Sequence, residues 1–359
     1  MKPGELLEMA IEDESHILIL GRPGSGKSTL VRLALAQYKA PALVIDYVGN
    51  YDGYVDYYAP YPLNPLDFIN PHDFIDALAR TIDVAYGIAN AMSPAMEEVI
   101  LTALESIPEE NPLDALAWLN TEGRNVFRAP DEANALKGAR RRLNVLLNNL
   151  LFSRHTHPIL RNWINGGLKA QIGIRLRGLG LYPAIMYVTF LLTILARYEA
   201  NANYWRFVVI DEAQYFAQGE GITPLEEAVR VARNYKVLFI AITQNIKAIP
   251  ERLLDVFKII IDFNQSSTPR RARVLAYPTS LKWAGLANTK APVEMPVFQD
   301  WVSVDPGMLN TLKRSSVTWP KCLEKCGVEL SVRSMVVKGS IVRDLAGLSS
   351  CVWDCLSGD

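Results

Sequence analysis

The stretch Gly21-Arg22-Pro23-Gly24-Ser25-Gly26-Lys27-Ser28, with Thr29 directly after it, decides how this chain is read. It fits the phosphate-binding loop pattern G-x-x-x-x-G-K-S/T. The flanks give the pattern a mechanism. Ile17-Leu18-Ile19-Leu20 is an apolar run of buried-strand type, and Thr29 to Tyr38 reads as a helix with apolar Leu30, Val31, Leu33, Ala34 and Leu35. Glycines in such a turn let backbone N–H groups close around phosphate oxygens, and the helix N-terminus adds partial positive charge. Lys27 is thereby placed for β- and γ-phosphates and the Ser28 hydroxyl for Mg²⁺. The expectation is a nucleotide site built from residues Gly21 to Thr29.

An acidic counterpart lies far along the chain. Phe207-Val208-Val209-Ile210 is an apolar run ending in Asp211-Glu212-Ala213-Gln214, the Walker B pattern. A buried strand that delivers two adjacent carboxylates to its carboxyl end places them where open parallel sheets bind ligands. Successive residues at a strand end point different ways, so Asp211 is expected to face the Mg²⁺ shell and Glu212 the attacking water.

Other apolar runs complete a sheet. Ala42 to Ile45 ends in Asp46, Ile172 to Leu176 alternates, Val237 to Ile242 ends in Thr243-Gln244-Asn245, and Val256 to Phe263 is the last. The Gln244 amide is either a γ-phosphate or water contact or a strand-end turn residue. Arg270, Arg271 and Arg273 fall in a loop or the start of a helix. Pro71 to Leu168 carries helical apolar periods, as at Phe74 to Leu78 and Met96 to Leu104. The order predicts an α/β, RecA-like (ASCE) P-loop NTPase: a doubly wound, mainly parallel sheet with an inserted helical lobe and a small C-terminal extension. The expected boundaries are 1–68 and 169–304 for the two parts of the core, 69–168 for the helical insertion, and 305–359 for a cysteine-containing extension.

Half of the 359 residues are hydrophobic, enough for a large core, and the net charge of −1 argues against coating nucleic acid by bulk charge. Local basic patches stay open, such as Lys137, Arg140, Arg141 and Arg142 on one amphipathic helix. These are either a solvated face or phosphate contacts to DNA. Met1 to Ser15 is acidic without an apolar signal region, which makes the cytoplasm the expected compartment. The uncharged run Gly178 to Ala196 is almost long enough for a bilayer. Its place between two strands, with Gly180 and Pro183 near its start, favours a core helix, and no membrane insertion is expected. Tyr47 to Pro65 reads as a loop whose tyrosines pack it or stack on bases, packing being the commoner use. His155 and His157, without nearby cysteines or acids, read as loop residues rather than metal ligands.

Several pieces together resemble the HerA–FtsK superfamily of ATP-driven translocases, on the HerA-like side, over roughly Glu5 to Phe298. Val44-Ile45-Asp46 through Tyr51 resembles its "viD-x-x-gEY" segment and Leu63-Asn64-Pro65-Leu66-Asp67 its "iNP-x-d". Asp211-Glu212-Ala213-Gln214 resembles "DEAH", Arg233-Asn234-Tyr235-Lys236-Val237 "RK-x-G-v", and Ile242-Thr243-Gln244 "atQ". The resemblance implies that Lys27, Ser28 and Asp211 hold Mg-ATP, that Glu212 polarises the water, and that Gln244 senses the γ-phosphate. It also implies that Arg233 serves a neighbouring subunit's nucleotide, with Arg270 or Arg271 as rivals and a salt bridge to Glu226 or Glu227 as its bland alternative. Asn50 stands where the family usually has glutamate and receives no catalytic role; Asn234 replaces a lysine. Such enzymes are usually hexameric rings that thread double-stranded DNA, some with a nuclease or portal partner.

The implied activity is an ATPase motor for DNA end processing, conjugation or viral genome packaging. A second class, a nucleotide-dependent switch or scaffold with weak hydrolysis, remains open, and a small-molecule kinase stands third. All four cysteines fall near the C-terminus, Cys322 and Cys326, then Cys351 and Cys355, each pair at i, i+4 spacing. Two disulfides, one tetrahedral zinc site or four unlinked thiols are the alternatives.

Overall fold

Alternation of side chains along the central strands divides the core between two faces. Leu18 and Leu20, Val208 and Ile210, and Phe239 and Ala241 belong to one apolar cluster; Ile17 and Ile19, Phe207 and Val209, and Leu238 and Ile240 belong to the other. Strands buried on both faces read as continuous apolar runs, which is why the sequence marks them so plainly. The computed structural model describes residues 1–86, 92–147, 151–217, 222–277, 298–312, 317–318, 328–330, 335–337 and 340–342.

The strands of the main sheet are β1 (His16–Leu20), β2 (Ala42–Asp46), β3 (Tyr57–Ala59), β4 (Gln171–Arg175), β5 (Arg206–Ile210), β6 (Val237–Thr243), β7 (Phe257–Asp262), β8 (Arg271–Ala276), β9 (Phe298–Ser303) and β10 (Val317–Thr318). They form ten strands in the order β10-β3-β4-β2-β5-β6-β1-β7-β8-β9. The pairs β7–β8 and β8–β9 are antiparallel and the others parallel. Three short strands, Val328–Leu330, Met335–Val337 and Ser340–Val342, form a separate antiparallel sheet.

Helices α1 (Pro3–Glu12) and α2 (Lys27–Tyr38) bury Leu6, Leu7, Leu30 and Leu33 in the second cluster. The first cluster takes in α3 (Pro71–Tyr86), α4 (Pro94–Glu105), α5 (Pro112–Thr121), α7 (Pro130–Leu147), α8 (Pro158–Ile164), α9 (Leu181–Arg197) and α10 (Pro224–Val231), with the short α6 (Gly123–Val126) between α5 and α7. Its members include Phe74, Ile100, Leu116, Leu143, Trp163, Phe190 and Val229, so helices and sheet face share one core. Several helices start the same way. Ser93, Asn111 and Thr223 accept the backbone N–H three residues on, and a proline fills the first helical position.

The uncharged run is α9. Its residues Ala184 to Ala196 are all buried, as a core helix requires, and among the described residues no helix is long and apolar enough to cross a membrane. Phe74 stacks on Phe190 at 5.0 Å. Arg197 ends α9 in ion pairs with Asp73, with Asp76 at 2.7 Å and with Glu227 at 3.0 Å, tying α3, α9 and α10 together.

Two expectations need correction. The tyrosine-rich loop contains β3, because Tyr58 and Ala59 are buried against β4. Tyr51, Tyr58 and Tyr61 are also buried, so those rings pack the loop and are not presented to bases. Arg271 and Arg273 lie in β8 rather than in a loop or helix; β8 alternates Ala272, Val274 and Ala276 inward. A hairpin strand so rich in arginine hides its period from a search for apolar runs.

Arg206 opens β5 fully buried, with no carboxylate paired to it among the described residues. Its Nη1 donates to Trp163 O at 2.6 Å and Ile164 O at 3.0 Å, its Nη2 to Tyr235 O at 3.3 Å, and its guanidinium lies 5.0 Å from the Trp163 ring centroid. Arg206→Ala leaves these carbonyls without their donor and opens a cavity beneath the acid-bearing strand. The expected loss is roughly 3 kcal/mol of stability, read as a lowered thermal midpoint.

Candidate nucleotide site

The sheet order brings the motifs together. β6 lies between β5 and β1, and β2 flanks β5, so the carboxyl ends of β1, β2, β5 and β6 sit side by side. Registers Ile45↔Ile210, Ile210↔Ala241 and Leu20↔Thr243 set them level.

From β1 the chain turns through Gly24 (φ 75°) and Gly26 (φ 109°), left-handed positions that suit glycine, into α2. Lys27 is buried and curls back on the loop, donating from Nζ to Gly21 O at 2.8 Å and Arg22 O at 3.0 Å. Burial lowers its pKa, while the charges of Glu212 and Asp211 oppose that shift. The Ser28 hydroxyl donates to Asp211 Oδ2 at 3.2 Å, joining residues 183 positions apart. Loop hydroxyl and strand-end acid thus meet as the motifs require.

Asn50 closes the same corner and was not assigned from the sequence. Its Nδ2 donates to Asp211 Oδ2 at 3.4 Å. Its loop is pinned by the fully buried Asp46, whose carboxylate accepts from Gly49 N at 2.7 Å, Asn50 N at 3.1 Å, Tyr51 N at 2.9 Å and the Tyr58 hydroxyl at 2.8 Å. The available signal was the acid ending β2, four residues ahead. Here an amide, not a carboxylate, faces Asp211, which avoids crowding one more negative charge beside Asp46, Asp211 and Glu212.

Glu212 has left-handed backbone, φ 61° and ψ 46°. For a residue with a side chain this costs about 1 kcal/mol, a strain typical of functional positions. One carboxylate oxygen accepts from the Gln244 amide and the other from the Gln214 amide, and Thr243 Oγ1 donates to Gln214 Oε1 at 2.7 Å. Asp211 therefore engages the loop while Glu212 engages the segments that follow β5 and β6. Gln214 and Thr243 were missed as positioning residues, although both lie inside the quoted motifs.

A cavity of about 310 Å³ opens beside Gly24, Lys27, Ser28 and Asn50, and Arg270 of the same chain lines it. Ser25 Oγ is buried without a hydrogen-bond partner among the described residues. An ammonium held by its own loop's carbonyls, an orphaned buried hydroxyl and a hydroxyl–carboxylate pair fit a phosphate chain with Mg²⁺, which usually takes few protein ligands. Ser28 and Asp211 are the residues that would hold the ion.

Arg233 is not brought to this corner. It is exposed, in the turn before β6, at the amino edge of the sheet. Its bland alternative does not hold: Glu226 pairs with Arg230 and Arg252, and Glu227 with Arg80 and Arg197. Arg271 stacks on Trp301 at 4.6 Å. His157 caps α8 and packs on Tyr61 at 5.1 Å. Cys322, Cys326, Cys351 and Cys355 lie outside the described residues.

The Asp211 carboxyl is pushed up to about 6, chiefly by burial and then by the Asp46 charge, while the Asn50 and Ser28 hydrogen bonds oppose the shift. A folded-state value above the ordinary one means the folded chain keeps a proton that the unfolded chain has lost. Metal-free stability should therefore fall as pH rises from about 4 to about 6 and stay lower above that. Asp211→Asn removes this penalty. At pH 7.5 with chelator it is expected to stabilise by roughly 2 kcal/mol, with the two chains alike near pH 4. Thermal unfolding at both pH values checks this; a gap of equal size at both would refute the electrostatic account.

No protein-family model matches the chain, and no curated protein matches it in sequence. Solved structures do match. The plasmid coupling protein TrwB in complex with ADP and Mg²⁺ aligns with a TM-score of 0.55 at 15% identity, over 83% of this chain and 86% of that one. VirB4 of Thermoanaerobacter pseudethanolicus aligns with a TM-score of 0.54 at 13% identity, over 83% and 91%. At these identities the likeness concerns the fold. The chain has a RecA-like P-loop ATPase fold, the fold it shares with TrwB and VirB4.

Proposed function

We propose that this chain is an Mg²⁺-dependent ATPase that moves double-stranded DNA as a ring of identical subunits. One observation carries the proposal: Ser28 meets Asp211 beside Lys27 while the adjacent Glu212 is held by Gln244. That is the division between phosphate and metal binding on one side and water activation on the other. A water oxygen would form the new bond to the γ-phosphorus as the bond to the β–γ bridging oxygen breaks. Glu212 would take the water proton, and Lys27 would offset charge on the phosphates. Bound Mg²⁺ supplies further charge neutralisation.

TrwB has been seen with ADP and Mg²⁺ and with a non-hydrolysable ATP analogue, and it is described as a conjugative coupling protein, which supports nucleotide and DNA as ligands here. Lys137 and Arg141 are exposed on α7 and offer phosphate contacts. Ring assembly is supported by the placement of apolar surface. Val48, Leu181, Tyr215, Ile222 and Ile246 are five of the eight exposed large hydrophobic residues among those described, and all follow the carboxyl ends of β2, β4, β5 and β6. A subunit covering that edge would bury them around the nucleotide.

The test is ATP turnover with and without double-stranded DNA, alongside particle size with and without ATP and DNA. Stimulation by DNA together with ring-sized particles is expected. ATP binding unaffected by any nucleic acid would favour the switch or scaffold instead.

A further inference from the structure

We infer that Arg270 contacts the phosphate chain of the nucleotide bound to its own subunit, an inference that rests on the nucleotide reading above. Three observations converge on it. The first is placement. Two cavities flank the loop, one of about 310 Å³ reaching Lys27 and Ser28, the other of about 480 Å³ reaching Ser25 and Phe263. Gly24 and Arg270 are the residues that line both. The sheet explains this: β8 lies two strands from β1, and the register Leu20↔Asp262↔Arg273 sets the start of β8 level with the loop.

The second is backbone strain held in place. Arg270 has φ 60°, in the left-handed region that an arginine seldom adopts. Its carbonyl accepts from Val304 N at 2.8 Å, which anchors the residue to the segment leaving β9. Strain kept beside a ligand cavity is characteristic of residues positioned for function.

The third is charge without a partner. Among the described residues the Arg270 side chain makes no hydrogen bond or ion pair, whereas its neighbours are occupied, Arg271 over Trp301 and Arg273 with Gln299. An arginine lining the cavity beside Lys27 and Ser28 suits a polyphosphate, because its planar guanidinium fork donates two hydrogen bonds to one anionic group. The role implied is a clamp acting in cis. Arg270 is thereby removed from the candidates for an arginine lent to a neighbouring subunit.

The experiment compares ADP and adenosine binding by the full chain, followed by ligand-observed NMR, with Lys27→Ala as the control for the site. Arg270→Gln is expected to weaken ADP about tenfold and leave adenosine unchanged, and Arg270→Lys to recover most of the loss. Arg270→Gly relieves the left-handed strain, so it should fold at least as stably as the parent and lose the same ADP affinity. ADP affinity unchanged in both Arg270→Gln and Arg270→Gly would overturn the contact while leaving the nucleotide site standing. Equal losses for ADP and adenosine would place Arg270 on the base or ribose and overturn the phosphate role. Recovery of ATP turnover on mixing Arg270→Gln with Lys27→Ala subunits would make it a trans residue and overturn the cis assignment. A parent chain that binds ADP no better than Lys27→Ala removes the site, and the inference with it.

Discussion

Glu212→Gln is expected to bind ATP as the parent chain does and to lose turnover about a thousandfold. The substitution keeps the side chain's size and removes its basicity. In the folded chain Glu212 accepts from two amides, Gln214 and Gln244, one on each oxygen. A glutamine there offers one oxygen and one NH₂, so one neighbouring amide must turn over to present its carbonyl. Gln214 already uses its carbonyl to accept from Thr243, so Gln244 is the one free to turn. The local structure therefore survives while the proton acceptor is lost. Single-turnover assays should show slow chemistry with ATP retained on the protein, and the KM should move far less than kcat. Turnover at the parental rate would show that another group receives the proton.

The same site shows how much was legible in the sequence. The loop from Gly21 to Ser28 and the pair Asp211-Glu212 were readable because each is a contiguous string with an apolar strand before it. The buried strands β1, β2, β5 and β6 were readable for the same reason. Strand order was not, because it depends on which strands pair after crossovers of many residues, as with Ser28 and Asp211, 183 positions apart. Asn50 escaped because its role depends on an H-bonded loop, where Asp46 draws three backbone N–H groups inward. No periodicity encodes that. β3 and β8 escaped because a strand of three residues and a strand studded with arginine do not present an apolar run.

The site also runs against local stability in two places, and both carry information. Burial, and then the Asp46 charge, push the Asp211 pKa up, and Glu212 holds a left-handed backbone. Neither feature helps the metal-free chain fold. The first makes sense when a cation occupies the corner, since added positive charge offsets the crowding of acids around Asp211. Lys27→Ala should remove nucleotide binding while leaving the fold intact, because among the described residues the ammonium donates to its own loop's carbonyls alone.

Arg233→Ala is expected to lower ATP turnover about a thousandfold while ADP affinity stays near the parental value, the signature of an arginine supplied by one subunit to another. Within one chain Arg233 has no path to the phosphates. It precedes β6, a strand of seven residues, at the amino edge. Such a strand spans roughly 20 Å, and the loop lies at its far end. The Arg233 charge also helps hold His16, at the amino end of β1, in its neutral form, secondary to burial, which is consistent with that location. The side chain is exposed, and among the described residues Glu226 and Glu227 of the preceding α10 are engaged by other arginines. Mixing supplies the decisive measurement. Arg233→Ala subunits retain an intact nucleotide corner, and Lys27→Ala subunits retain the arginine. Each is expected to be inactive alone, and a mixture should recover turnover wherever an intact corner faces an intact arginine. A mixture that stays inert, with mixed particles confirmed by mass, would exclude lending of Arg233 between subunits. Substantial turnover by Arg233→Ala alone would show that another group neutralises the transition state.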